Sequence, residues 1–249
     1  MPDLDLAIHA AHQAGKLLRD NFGSDLLVDE ATHHDIKLDL DKRSQALIAS
    51  ILLENNPSDA LYGEEGIAGN QGSARQWIVD PIDGTVNYFY GIPHFCVSIA
   101  LRVAGEVVLG VIHDPMVGET WTVEKGGVPM LDGKPIRVSQ RDSLREAVLF
   151  IGCGKDDEAL RTGLERFRKA SLLARKMRMM GSAALGMAYI ACGRLDAYIE
   201  ARISLWDIAA GKLLVEAAGG SVDLTPVPGH ADCWSIVATN ARIPIGEIL

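Results

Sequence analysis

Four cysteines (Cys96, Cys153, Cys192 and Cys233) are all that 249 residues contain, and they form no CxxC pair and no zinc-ligand spacing. That excludes a disulfide scaffold and a zinc finger; the thiols read as buried and reduced, as in a cytosolic protein. No stretch approaches the roughly 20 consecutive apolar residues of a membrane span. The opening MPDLDLAIHAAHQAG places acids where a secretory signal needs a basic start and a continuous apolar core. The chain is also short of positive charge, with 24 Lys and Arg against 33 Asp and Glu and a net charge of −9. Such a balance argues against general nucleic-acid binding, which needs a basic face. The expectation is therefore a cytoplasmic protein with no nucleic-acid and no membrane partner. A small phosphorylated ligand remains compatible, because bound cations reverse the local field of an acidic site.

What is present is an ordinary globular composition, 48% hydrophobic and 23% charged. The length suits one domain or two tightly packed halves. Leu4, Ala7, Ile8, Ala11, Ala14 and Leu18 recur at helical spacing and predict a helix over 3–22; Leu40, Ser44, Leu47, Ile48 and Ile51 predict another over 39–55, stopped at Asn55-Asn56-Pro57. Short strands follow: ALYG, QWIVD, a hairpin of FCVSIALRV and EVVLGVIHD around Ala104-Gly105, then ETWTVEK and a tight turn at Asp132-Gly133. From about residue 141 the pattern changes to α/β alternation. AVLFIG, RKMRM, LDAYIE, SVDL and SIVAT read as strands; 156–171, 182–192 and 205–218 read as helices, with a short terminal helix. No repeat or low-complexity segment interrupts this. The expected organisation is one domain over 1–249, made of halves at about 1–140 and 141–249, in stacked helix and sheet layers.

Trp77-Ile78-Val79-Asp80-Pro81-Ile82-Asp83-Gly84-Thr85 carries the strongest chemical signal. An apolar strand delivers Asp80 at its end, Pro81 fixes a backbone angle, and Gly84 permits a tight path. Two carboxylates converging there supply hard oxygen donors of the kind Mg²⁺ takes. Read alone, such a fragment is more often a turn, and its place directly after an apolar strand counts against that reading. Glu64-Glu65 between Gly63 and Gly66 is similarly ambiguous, since adjacent acids are either solvated or held by a cation. Asp207, opening an apolar helix after Trp206, could simply interact with backbone amides. Gly84-Thr85 and Gly181-Ser182-Ala183 open helices whose free amides would suit an anion, with Ser182 as a helix cap.

Together, GEEG, WIVDPIDGTVNY, the GSAA segment and YIEARISLWDIAAG resemble the inositol monophosphatase family, in its order and at about its spacings over most of the chain. The resemblance implies an α+β fold, the layered αβαβα sandwich of the sugar-phosphatase type. It implies hydrolysis of a small soluble phosphate monoester by in-line attack of a metal-activated water, with two or three Mg²⁺ ions, lithium sensitivity and a homodimer. Glu64, Asp80, Asp83, the Ile82 carbonyl and Asp207 are then metal ligands. Asp41 and Thr85 orient and deprotonate the water, and Glu65 assists through a water or a weaker metal. Asp83, Gly84, Thr85, Ser182, Ala183 and Glu200 bind substrate, Glu200 through its hydroxyls. Inositol monophosphate is the expected substrate, with histidinol phosphate, fructose 1,6-bisphosphate and 3′-phosphoadenosine nucleotides as alternatives.

The run Asp35-Ile36-Lys37-Leu38-Asp39-Leu40-Asp41 departs from the family's usual Asp-x-Val-Thr: Lys37 brings a charge and Leu38 replaces a threonine. His33-His34 reads as a polar loop, and Arg175-Lys176-Met177-Arg178 as a solvated strand edge. Aspartyl-phosphate enzymes use Asp-x-Asp-Gly-Thr, one residue shorter than the spacing here. A regulatory protein that binds metal or phosphometabolite on the same scaffold is the non-enzymatic alternative; Thr85 and the retained carboxylates favour an enzyme.

Overall fold

The computed structural model describes residues 1–24, 26–31, 36–154, 156–230 and 232–249. His33 and His34 lie outside these. The first half contains α1 (Asp3–Asn21), β1 (Val28–Ala31), β2 (Ile36–Leu38), α2 (Asp39–Asn55), β3 (Ala60–Gly63), β4 (Gly66–Gly69) and β5 (Arg75–Asp83). It continues with α3 (Thr85–Phe89), β6 (Cys96–Val103), β7 (Glu106–Asp114), β8 (Glu119–Glu124), β9 (Met130–Leu131) and β10 (Lys134–Pro135). The second half contains β11 (Val148–Ile151), α4 (Asp157–Leu173), β12 (Lys176–Arg178), α5 (Ala183–Ala191), β13 (Ala197–Ser204), α6 (Leu205–Ala217), β14 (Ser221–Pro226) and β15 (Cys233–Thr239).

These elements form five layers. Helices α1 and α2 cover one face of an eight-stranded sheet in the order β10-β9-β8-β7-β6-β5-β3-β4. Helices α5 and α6 lie between that sheet and a five-stranded one, β12-β11-β13-β15-β14, whose outer face carries α4. The sequence of the middle layer explains its place. AALGMAYIA and LWDIAAGKLLVEA are apolar around most of their circumference, as a helix packed on two sides must be. Small residues let the layers approach: a Cβ on Gly110 would stand 3.0 Å from the Ala210 backbone. The buried core between the sheets draws Ile78, Ile112 and Trp121 from one half and Leu185, Ile208 and Ile236 from the other.

Helix α1 is amphipathic, burying Leu6, Ala7, Ala10, Ala11, Ala14 and Leu18 against the eight-stranded sheet. Strand β12 is a sheet edge with Lys176 and Arg178 exposed, charges of the kind that discourage edge-to-edge pairing. The β1–β2 pair and β4 were not legible as strands; β1 is exposed along its whole length and has no alternating pattern. The terminal helix is a single 3₁₀ turn, Ile245–Glu247.

Candidate active site

Strand β5 does not stop at Asp80 as the sequence predicts; it continues through Pro81 to Asp83. Its pairing with β6 matches Asp80 to Ser98 and Asp83 to Cys96, three steps against two. The extra residue is a β-bulge, where a proline lacking an amide is tolerated. Side chains alternate along a regular strand, so residues three apart would face opposite ways. The bulge resets this phase and brings Asp80 and Asp83 to one side. Gly84 then turns the chain at φ 104°, in space bounded by the His94 and Gly181 carbonyls, and α3 begins at Thr85.

Asp207 arrives from the first turn of α6, where one carboxylate oxygen accepts the Ser204 amide at 2.9 Å. This is the helix-terminus contact that the sequence offered for Asp207. Oxygens of Asp80, Asp83 and Asp207 all lie within 4.8 Å of one another. Glu64, on the turn after β3, borders the same cavity of about 300 Å³, together with Ile82, Gly84, Thr85, Ser182, Ala183 and Glu200. That turn is held by Gln45 on α2, whose amide accepts from the Glu65 amide at 3.0 Å and donates to the Gly66 carbonyl at 3.1 Å.

Asp41 and Glu65 do not border the cavity directly. Asp41 is 1% exposed and reaches the site through Thr85, whose Oγ1 stands 3.1 Å from Asp41 Oδ1 and 2.9 Å from the Ile82 carbonyl. The second Asp41 oxygen accepts the Leu38 amide at 2.8 Å. Burial pushes the Asp41 carboxyl up to about 7, with Glu64 and Glu65 adding to the rise. Asp80 is held well above the usual carboxylate range by burial and by the charges of Glu64, Asp83 and Asp207. Asp83 is raised by burial, against hydrogen bonds from Ser182, Ala184 and Ala183.

Those bonds correct one expectation. The N-terminus of α5 is not open to a phosphate: Ser182 Oγ donates to Asp83 at 2.6 Å, and the Ala183 and Ala184 amides donate at 3.2 and 2.7 Å. The carboxylate three residues after Asp80 occupies the anion position that the GSAA segment offers. Ser182 also accepts the Leu185 amide at 3.4 Å, as a cap does.

Glu200, on β13, accepts Tyr198 Oη at 2.5 Å and the Gly154 amide at 3.0 Å. A Cβ on Gly152 would lie 1.8 Å from a Glu200 oxygen, so only glycine leaves room for that carboxylate. Gln45, Tyr198 and Gly152 were missed in the sequence. The Gly152-Cys153-Gly154 run at the end of a predicted strand was the available signal.

The donor set fits a hard divalent cation. Carboxylate oxygens are gathered in a buried place, and their mutual repulsion, visible in the raised Asp80, is what a bound cation relieves.

A five-layer fold that gathers carboxylates from β5, α6 and the turn after β3 beneath an open cavity defines the class, a phosphoric monoester hydrolase of the sugar-phosphatase type. The inositol monophosphatase family profile matches residues 2–240. A Xylella fastidiosa protein named Nus factor SuhB is 40% identical over 89% of this chain and 81% of its own. The fructose-1,6-bisphosphatase/inositol-1-monophosphatase of Thermotoga maritima is 39% identical over 98% and 93%. Among solved structures, the extragenic suppressor protein SuhB from Bartonella henselae superposes with a TM-score of 0.87 at 34% identity, covering 96% of this chain and 93% of that one. The chain belongs to the inositol monophosphatase family.

Proposed function

We propose that the protein hydrolyses inositol monophosphate by a Mg²⁺-dependent, in-line attack of water, acting as a cytoplasmic homodimer. The observation that carries this reading is the convergence of Asp80, Asp83 and Asp207 beneath a small cavity also bordered by Glu64, with the Thr85–Asp41 pair at its edge. Asp80, Asp83, Asp207, Glu64 and the Ile82 carbonyl would hold the ions. Bound divalent cations there supply neutralisation of the phosphate dianion, acidification of a water and stabilisation of the leaving alkoxide.

The chain's own groups do the rest. Thr85 Oγ1 accepts a hydrogen bond from the attacking water while donating to Asp41 Oδ1, which takes the proton. Asp41 suits this role because burial holds its proton affinity near neutrality. Gly84 and Thr85 at the start of α3 orient the phosphate. Glu200, fixed by Tyr198 and Gly154, receives the substrate hydroxyls on the opposite wall.

Gly152→Ala tests the Glu200 assignment. The added methyl displaces Glu200, so KM for inositol monophosphate should rise about tenfold with kcat within about threefold of the parent. An unchanged KM would remove Glu200 from the substrate contacts.

The Thermotoga maritima relative, named for both activities, favours fructose 1,6-bisphosphate as the second reading. Comparing kcat/KM for the two esters with Mg²⁺ decides between them. A ratio above about 10 for inositol monophosphate is expected, a difference of the size that a few hydroxyl contacts supply. A preference for the bisphosphate would overturn the substrate assignment while leaving the mechanism in place.

A further inference from the structure

Lys37 is the charge that departs from the family pattern, and the structure gives it a particular partner. Across the β1–β2 pair its register neighbour is Glu30, an exposed acid. Lys37 turns instead to Glu65, with Nζ 3.6 Å from Oε1. The Glu65 side chain is only 5% exposed, against 37% for Lys37. Glu65 Oε1 is buried without a hydrogen bond, so the ammonium meets it as a charge and not as a donor. A carboxylate buried in this way requires a cation beside it. Lys42, another cation that feels the Glu65 charge, is committed to Asp29 at 2.8 Å. The Glu65 backbone is fixed by Gln45, Glu65 follows Glu64 directly in the chain, and the field of its carboxylate reaches Asp41.

We propose that the Lys37 ammonium is a built-in counter-ion for Glu65 that closes this edge of the carboxylate cluster to a further divalent cation. The protein thus carries, as a side chain, one positive charge that would otherwise be taken from solution. Lys37 is a positioning residue: it touches neither the cavity nor the three converging aspartates. Without it, the buried Glu65 carboxylate has lost the ammonium beside it, and a divalent ion is the available replacement.

This inference rests on the metal reading proposed above, and the test separates the two. The full chain, stripped with EDTA, is titrated with Mn²⁺ by calorimetry and by the loss of the free-ion electron paramagnetic resonance signal. The parent, Lys37→Met, Lys37→Arg, Lys37→Met/Glu65→Gln and Asp83→Asn proteins are compared. Lys37→Met should bind one more Mn²⁺ per chain than the parent. Lys37→Arg and the double variant should return to the parent's count. Thermal unfolding in EDTA, within a few degrees of the parent, shows that the fold is kept. A parent count for Lys37→Met, or an added ion that survives Glu65→Gln, overturns the proposal for Lys37. A parent that binds no Mn²⁺, or binds it equally well as Asp83→Asn, overturns the metal reading itself.

Discussion

Asp83→Asn is expected to lower kcat by about a thousandfold or more at saturating Mg²⁺, while moving the thermal midpoint by only a few degrees. Two roles meet in this carboxylate and the substitution separates them. As part of the acid cluster it supplies negative charge within 4.8 Å of Asp80 and Asp207. An asparagine supplies none, and its amide nitrogen turns a positive edge toward the ions. As the anchor of α5 it accepts from Ser182 Oγ and the Ala184 amide on the same oxygen, with the Ala183 amide on the other. The asparagine carbonyl can keep the first two bonds and loses the third and longest. The stability cost is on the order of 1 kcal/mol, the size of a lost helix cap or a single neutral hydrogen bond. Phosphate release and a circular-dichroism melt measure the two effects separately. Near-parent turnover would take Asp83 out of the cation site.

Asp41→Asn is expected to abolish turnover to a similar degree and yet to stabilise the metal-free protein above neutral pH. Asp41 is about 7 in the folded state against 3.8 for a free carboxyl, chiefly because it is buried. Below about 4 both states hold the proton and the burial costs nothing extra. Between 3.8 and about 7 the unfolded chain gives up the proton while the native state keeps it, so stability falls as pH rises through that window. Above it, the native protein carries a buried charge. Asparagine removes this penalty and keeps the geometry: its carbonyl accepts the Leu38 amide, and its NH₂ donates to Thr85 Oγ1, which turns its own proton to the Ile82 carbonyl 2.9 Å away. A gain on the order of 2 kcal/mol in EDTA at pH 8, shrinking toward pH 4, is the expected result. Unfolding in denaturant at both pH values checks it. A loss of stability at pH 8 would mean that the carboxylate is paired and not penalised.

The layers were largely legible because their elements are periodic. The alternation in β6 and β7, the amphipathic stripe of α1 and the apolar α5 and α6 each state which faces must be covered. The acids of the site were legible as types and positions, Glu64, Asp80, Asp83 and Asp207, but their meeting depends on features without a local signature. The bulge at Pro81 is a matter of register between β5 and β6, which neither strand states alone. The engagement of the α5 N-terminus by Asp83 joins residues about a hundred positions apart. Gln45 looked like one polar residue on an amphipathic helix; its clamp on Gly63–Gly66 appears only when α2 is laid beside β3, where a Cβ on Gly63 would strike it at 2.0 Å. Lys37 was visible as a departure, but its partner Glu65 is set by the fold.

Anomalous diffraction from crystals soaked in Mn²⁺ tests the central claim most directly. Peaks are expected between the carboxylates of Asp80, Asp83, Asp207 and Glu64, at about 2.0–2.2 Å from their oxygens, as for Mg²⁺-type coordination. Ions bound only elsewhere on this acidic surface, with these four carboxylates left bare at saturating Mn²⁺, would contradict it.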